Sequence, residues 1–375
     1  MQPSFILIIL GMTCLLLFAY PYFIYPVILK TLPILPVRRG AFAGRASLQF
    51  CVHNEEAALP QKLASLKRLK TTMPDLEILV FDDSSTDASA QILSQEDGLL
   101  TLVRGVDRCG KAAGMKRLAA MAQGDIIVFT DANVIFADDA IQKLLTYYAD
   151  GNVGGVCGTL LYQDESPSIT SEISTSYWSL DERARSLETA TGNVMGADGS
   201  IFSIRRHLYP DFPDTVLDDL TVSMSVIFQG RRLIKADDVI AYERSVAVHD
   251  EEFRRKIRIG ARAYHTHSYL RPQLRQMQRI DRFKYASRKQ MRWFGGLFLG
   301  LAGLCFVGAI AGYSWILAAG ALVVAGAAAI VLQRLGPALM AKPIAAATLI
   351  FATLYGVILG MTGRTFVTWA PAKSR

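Results

Sequence analysis

Cysteine is scarce in this chain of 375 residues: five in all, at positions 14, 51, 109, 157 and 305, with no CxxC spacing. That scarcity excludes a disulfide framework and a thiolate zinc site. Internal repeats and low-complexity tracts are absent too. No Lys or Arg precedes the first apolar stretch and no small-residue cleavage site follows it, so a secretory signal peptide is not expected. Charged residues make up only 19% of the chain against 51% hydrophobic, and the mean hydropathy is +0.26, too apolar for a purely soluble enzyme.

What is present explains that excess. Residues 4–29 carry no charge and are long enough to cross a bilayer core of ~30 Å. Residues 294–312, 314–332 and 343–362 are similarly apolar and rich in Gly and Ala, a composition that lets membrane helices pack closely. The expected organisation is an N-terminal transmembrane helix (4–29), a charged domain (30–270), a basic interfacial segment (271–293), a transmembrane region of two to three helices (294–362) and a basic tail (363–375). Lys30, Arg38, Arg39 and Arg45 follow the first span, and Arg279, Arg282, Lys284, Arg288, Lys289 and Arg292 precede the second. The positive-inside rule then puts the domain in the cytoplasm of a multi-pass inner-membrane protein. Trp293 is expected at headgroup level. The net charge of +7 reads as membrane topology, with no nucleic-acid partner.

Within the domain, apolar runs alternate with helical patterns: strands at 47–52, 76–82, 99–105 and 125–131, helices at 56–70, 86–95, 110–122 and 137–149. That alternation predicts an α/β fold with a mostly parallel sheet covered on both faces. In such sheets ligands bind beyond the carboxyl ends of the strands. Those ends are acidic here. The first leads into His53, Asn54 and Glu55, the second into Asp82 and Asp83, the fourth into Asp131-Ala132-Asn133. Capping accounts for part of this, but two adjacent carboxylates exceed what a cap needs. An acidic crevice holds a polyphosphate only through a divalent cation, and oxygen ligands suit Mg²⁺ or Mn²⁺. Lys111 can face a diphosphate or brace a carboxylate.

The ordered set of motifs resembles the family-two glycosyltransferases, inverting enzymes of GT-A fold that use nucleotide-sugar donors. "CVHNEEAALP" is similar to the family's "PAYNEE", "FDDSSTDAS" to "DDGSTD", "GKAAGMKRL" to "GKAGALN" and "TDANVIF" to the "DAD" metal motif. "GNVMGADGSIFSIRR" and "LDDLTVSMSVIFQGRR" are similar to the acceptor-side segments, and "EEFRRKIRIGARAY" to the basic segment of membrane-bound members. The resemblance implies that Asp83 binds the base, with Asp82 and the His53-Asn54-Glu55 loop beside it. It places Lys111 near the diphosphate, Asp131 and Asn133 on Mg²⁺ or Mn²⁺, and Arg255 and Arg258 against the leaving group. Asp219 is the implied general base, with Asp198, Gly199 and Asp218 on the acceptor side. A nucleotide-diphosphate sugar, probably a UDP-sugar, is the implied donor. The implied acceptor is a lipid-linked saccharide, in cell-surface or exopolysaccharide synthesis, with membrane lipids and polysaccharide-assembly proteins as further partners.

The chain also departs from the family. His53 stands where Tyr is usual, Ser84 replaces a Gly, and Asn133 replaces the second metal Asp. No "QxxRW" follows residue 250, which argues against an extruded homopolymer. Two readings stay open beside the hydroxyl-directed transferase: a polyprenyl-phosphate glycosyltransferase and a non-catalytic scaffold subunit. An aspartyl phosphatase would need Asp-x-Asp after its first strand, and neither Asp82 nor Asp83 has Asp two places on.

Overall fold

The computed structural model describes residues 3–163, 169–244, 249–317 and 341–366, with isolated positions between 319 and 327. The predicted span 314–332 and the tail beyond 366 lie largely outside the described residues. The domain is built on an eight-stranded sheet of order β3-β2-β1-β4-β7-β6-β8-β5. Its first half comprises β1 (Ala46–Val52), β2 (Glu77–Asp82), β3 (Thr101–Arg104) and β4 (Ile126–Thr130). These four pair in parallel, as the alternation predicted.

The second half was not anticipated. β7 (Ile201–Arg205) runs antiparallel to both β4 and β6 (Val153–Tyr162), and β8 (Arg232–Glu243) pairs parallel to β6 and antiparallel to β5 (Ile135–Phe136). The sheet is therefore mixed.

Side-chain alternation along β1 sets the layers. Leu48, Phe50 and Val52 face one core with Leu59, Leu63 and Leu66 of α2 (Leu59–Thr72) and Ile141 and Leu144 of α5 (Ala140–Thr146). Cys51 faces the other, with Met115 and Leu118 of α4 (Lys111–Met121) and Leu220 and Val222 of α7 (Asp218–Phe228). Burying two such layers is the main favourable term in folding. α3 (Ser89–Ser94) follows β2.

Outside the sheet, α1 (Pro3–Lys30) is the one described helix that alone is long and apolar enough to cross a membrane. The helix Arg279–Trp293 bends by 60° into Gly295–Ala311, and the two together could make a second span. Gly295–Ala311 has 17 residues, short of the roughly 20 that cross a bilayer. The helix Ala341–Met361 instead packs along α8 (His249–Gln276): a Cβ on Gly356 would run into the Ile257 carbonyl, and one on Gly360 would stand 2.6 Å from the Ala261 carbonyl. The expected multi-pass C-terminal region is thus not carried by the described residues.

The basic approach to the second span needs correction as well. Lys284 and Arg288 are buried. Lys284 Nζ donates to the carbonyls of Glu188 (3.0 Å) and Thr191 (3.1 Å). Arg288 Nε donates to Glu188 Oε1 (2.9 Å) on α6 (Ile169–Ala190), and both Arg288 and Arg292 pair with Asp181. Tyr25 of α1 donates to the same Glu188 at 2.6 Å. These side chains bolt three helices together rather than face a membrane surface; Arg279 and Arg282 stay exposed. Trp293 is buried against Tyr264, His267 and Tyr285, so its ring packs inside the protein instead of facing lipid headgroups as expected.

Candidate active site

β1, β2 and β4 are neighbours running the same way, so their acidic exits converge on one edge. The first two loops are stitched together. His53 Nδ1 lies 2.8 Å from the Asp83 carbonyl oxygen, Asn54 Oδ1 accepts from the Thr86 backbone N–H at 2.8 Å, and the Glu55 N–H donates to Ser89 Oγ at 2.9 Å. Asn54 and Ser84 both sit at φ +55°. Asn tolerates that left-handed region and Ser does so poorly. The backbone at Ser84 thus keeps a conformation that a glycine would take freely.

Asp83 is fully buried. Its Oδ1 accepts from the Cys109 N–H at 2.7 Å and its Oδ2 from the Gly110 N–H at 3.0 Å. The carboxylate thereby fixes the turn that starts α4, where Gly110 takes φ +87°. Asp82 accepts from the Ser85 N–H through Oδ1 at 3.3 Å.

That turn delivers Lys111 to the centre. Its Nζ is 2.6 Å from Asp131 Oδ1 and 4.0 Å from Asp218 Oδ2. Burial alone would lower this ammonium, but Asp131, Asp218 and Asp219 outweigh it and hold Lys111 above the ordinary lysine range. Asp218 and Asp219 open the first turn of α7, where acidic residues complement the helix dipole. Asp219 is half-buried, and burial first, then the charge of Asp218, push its carboxyl up to about 6 while Lys111 pulls it down. A Cβ on Gly199 would lie 3.3 Å from Lys111 Nζ and 3.5 Å from Asp219 Oδ2, so glycine there keeps the space between them clear. Asp198 accepts from the Ser200 N–H at 3.0 Å, a turn role in the same loop.

Asn133 Nδ2 donates to Glu243 Oε1 at 2.9 Å. A carboxylate only accepts, so the amide oxygen of Asn133 is left for a cation. Glu243, buried at the end of β8, was not foreseen. Arg255 pairs with Glu252 of its own helix at 3.3 Å, and, against burial, Glu252 and Glu243 are among the groups that hold its guanidinium above the ordinary range. Arg258, one turn further along α8, is half-buried. Among the described residues no group of three or more His, Cys, Asp or Glu side chains encloses a metal. One carboxylate plus one amide oxygen fits Mg²⁺ or Mn²⁺ whose remaining ligands are phosphate and water.

Lys62 was also unforeseen. Fully buried in α2, its Nζ donates to the Val134 carbonyl (2.7 Å) and Thr130 Oγ1 (3.3 Å), between the rings of Phe50 and Phe136. Burial pushes its ammonium down to about 7, against the pull of Asp131. It braces the loop that carries Asp131 and Asn133 from below. Its only signal in the sequence is a Lys at an apolar position of an amphipathic helix.

Comparison with known proteins bears on this arrangement. Residues 47–212 match the model of glycosyl transferase family 2. A β-monoglucosyldiacylglycerol synthase of a Nostoc species is 24% identical over 186 residues, 47% of this chain and 40% of that protein. The O-antigen chain rhamnosyltransferase WbaN of Salmonella anatum is 24% identical over 180 residues, 46% of this chain and 56% of that protein. The chain thus spans about half the length of the curated relatives it matches. A mannosyltransferase of Pyrobaculum calidifontis, PcManGT, solved in complex with GDP-Man and Mn²⁺, superposes with a TM-score of 0.72 over 96% of this chain and 99% of that one, at 19% identity. That likeness is one of fold. Residues 47–212 therefore form a family 2 glycosyltransferase domain, set in a GT-A fold.

Proposed function

We propose that this protein moves a sugar from a nucleoside-diphosphate sugar to the hydroxyl of a lipid-linked or saccharide acceptor, with inversion, at a membrane surface. The observation that carries the reading is the constellation of Asp131, Lys111 and Asp219 around the space that Gly199 leaves open. The relatives' names support a lipid or glycan acceptor, and the complex of PcManGT supports a nucleotide sugar with a divalent ion. A UDP-sugar is the donor favoured by the motif resemblance.

In this reading Asp82 and the 53–55 loop line the base and ribose side, while Asp83 shapes the turn that aims Lys111. Asp131 and the amide oxygen of Asn133 hold Mg²⁺ or Mn²⁺, which supplies electrostatic stabilisation to the leaving diphosphate. Lys111, already among carboxylates, adds a fixed positive charge there, and Arg255 faces the same group from α8. Asp219 takes the proton of the acceptor hydroxyl. With its carboxyl up at about 6 it is a stronger base than an ordinary aspartate yet mostly ionised at neutral pH. Inversion needs one such base and no covalent intermediate. α1 tethers the domain to the membrane, and the basic residues Lys30, Arg38 and Arg45 after it favour a cytoplasmic face.

The test is a donor screen on the full chain, scoring released nucleoside diphosphate with and without Mg²⁺ or Mn²⁺. Metal-dependent release from one donor is expected. No release from any donor would sink the reading.

A further inference from the structure

Away from the strand ends, α8 and the helix Arg279–Trp293 enclose a cavity of about 390 Å³ that none of the active-site residues lines. Arg271, Arg275 and Arg282 stand at its rim, all exposed, and no Asp or Glu is among the residues lining it. Arg282 Nη1 reaches back to the Arg275 carbonyl at 3.5 Å. None of the three arginines has a carboxylate partner among the described residues.

Below the rim the cavity turns apolar. Leu274, Met277 and Tyr285 are buried and form its floor. One wall is held by His267, whose Nδ1 lies 3.3 Å from the Tyr285 hydroxyl and whose ring stacks on Tyr285 at 5.7 Å. Three guanidiniums gather at the rim with no carboxylate among the lining residues, and their planar forks match phosphate oxygens.

The position matters as much as the lining. Tyr20 of α1 shares a 2.8 Å hydrogen bond with Ser287, two residues beyond the floor residue Tyr285. The same helix then bends into Gly295–Ala311, which lies against α1 where Phe306 meets Gly11. The cavity therefore sits where the apolar helix pair meets the polar domain, the level at which a bilayer presents headgroups.

We propose that this cavity binds the phosphate headgroup of one anionic phospholipid molecule, with the three arginines on the phosphate and the glycerol and first acyl carbons on the Leu274, Met277 and Tyr285 floor. The rival is a diffuse basic surface, which would treat Arg254, also exposed on α8, as an equal contributor. The cavity and its floor favour a seated molecule over a smeared one.

The experiment uses the full chain in a neutral detergent, read by native mass spectrometry and by titration with phosphatidylglycerol, phosphatidylcholine or inorganic phosphate. One phosphatidylglycerol should be retained per chain and phosphatidylcholine should not, and millimolar phosphate should fail to displace the bound lipid. R271Q/R275Q/R282Q should weaken retention by about tenfold or more, while R254Q leaves it unchanged. Because the three sites are exposed, folding should survive; each single substitution, with its unfolding midpoint, is the second measurement. Equal retention of both lipids overturns the proposal. So do retention by the triple variant, equal weakening by R254Q, and displacement by phosphate, which would make this a free-anion site. The readout is binding alone, so a chain that transfers no sugar would still decide it.

Discussion

Asp131 is about a third exposed (34% of its side chain) and Asp219 half-buried, whereas Glu188 is sealed at 0% and Arg288 at 3%. The two clusters lie on either side of the same 188–200 stretch, yet their charges are used differently. At the strand ends the charges stay open to solvent: Asn133 turns its amide N–H, not its oxygen, to Glu243, and Asp131, a third exposed, takes Lys111 Nζ on Oδ1 at 2.6 Å. In the bolt the lone pairs of Glu188 are taken up: it accepts from Tyr25, Arg288 and the Met195 N–H. Charges with capacity to spare can take a ligand; charges fully satisfied in the dry interior can only hold structure, and removing one leaves its partner stranded.

Substitutions can break or sharpen that contrast. The largest effect is expected for Asp219→Asn, which should lower hydroxyl-directed transfer by about 10²–10⁴-fold with donor binding retained, as read by acceptor-dependent turnover and donor titration. Transfer that survives would point to a phosphate acceptor, which needs no strong base. Arg288→Met should cost about 3–5 kcal/mol of stability, the scale of a broken buried ion pair, seen by thermal unfolding in detergent. Asp131→Ala should do the reverse. It should leave the unfolding midpoint nearly unchanged and weaken metal-dependent donor binding by about 1.5–3 kcal/mol, measured by donor titration with and without Mn²⁺. If Asp131→Ala unfolds the protein, or Arg288→Met abolishes only binding, the division fails.

Two smaller effects follow. The acid limb of the rate profile should fall through about pH 6, because Asp219 works only when ionised and its folded-state pKa is raised. Asp218→Asn removes a charge that raises it, so the limb should move to lower pH, as read from kcat/KM against pH. Ser84→Gly should raise stability by about 1 kcal/mol by relieving the left-handed backbone, measured as an upward shift in Tm.

Which parts were legible in the sequence follows the same physics. β2 and β4 are buried on both faces and read as nearly continuous apolar runs, and β1 does so apart from Ser47 and Gln49, so their acidic exits could be found and ordered. β6 could not. It opens Val153-Gly154-Gly155, because a Cβ on Gly154 would come within 2.5 Å of Arg231 Cβ and one on Gly155 within 2.7 Å of Leu233. Glycine permits that close approach while erasing the strand signal. Glu243 was missed because its partner, Asn133, is 110 positions away. Lys284 and Arg288 look like membrane-flank cations in a linear reading; only the return of α6 from about a hundred positions upstream converts them into a bolt. Composition reveals which residues are charged. It does not reveal which charges find a partner.

The seam between α8 and Ala341–Met361 has a mechanical consequence. Where Gly356 and Gly360 meet the Ile257 and Ala261 carbonyls, backbone touches backbone with no side chain to act as a cushion. Sliding or rolling of one helix on the other would bring these backbones into collision, which ties the two helices together at this seam. Arg255 lies near one end of α8, and Arg271 lies about 24 Å along it at 1.5 Å per residue. A tilt of α8 near Arg271 would therefore also displace Arg255, so the proposed lipid cavity and the proposed donor site share one helix.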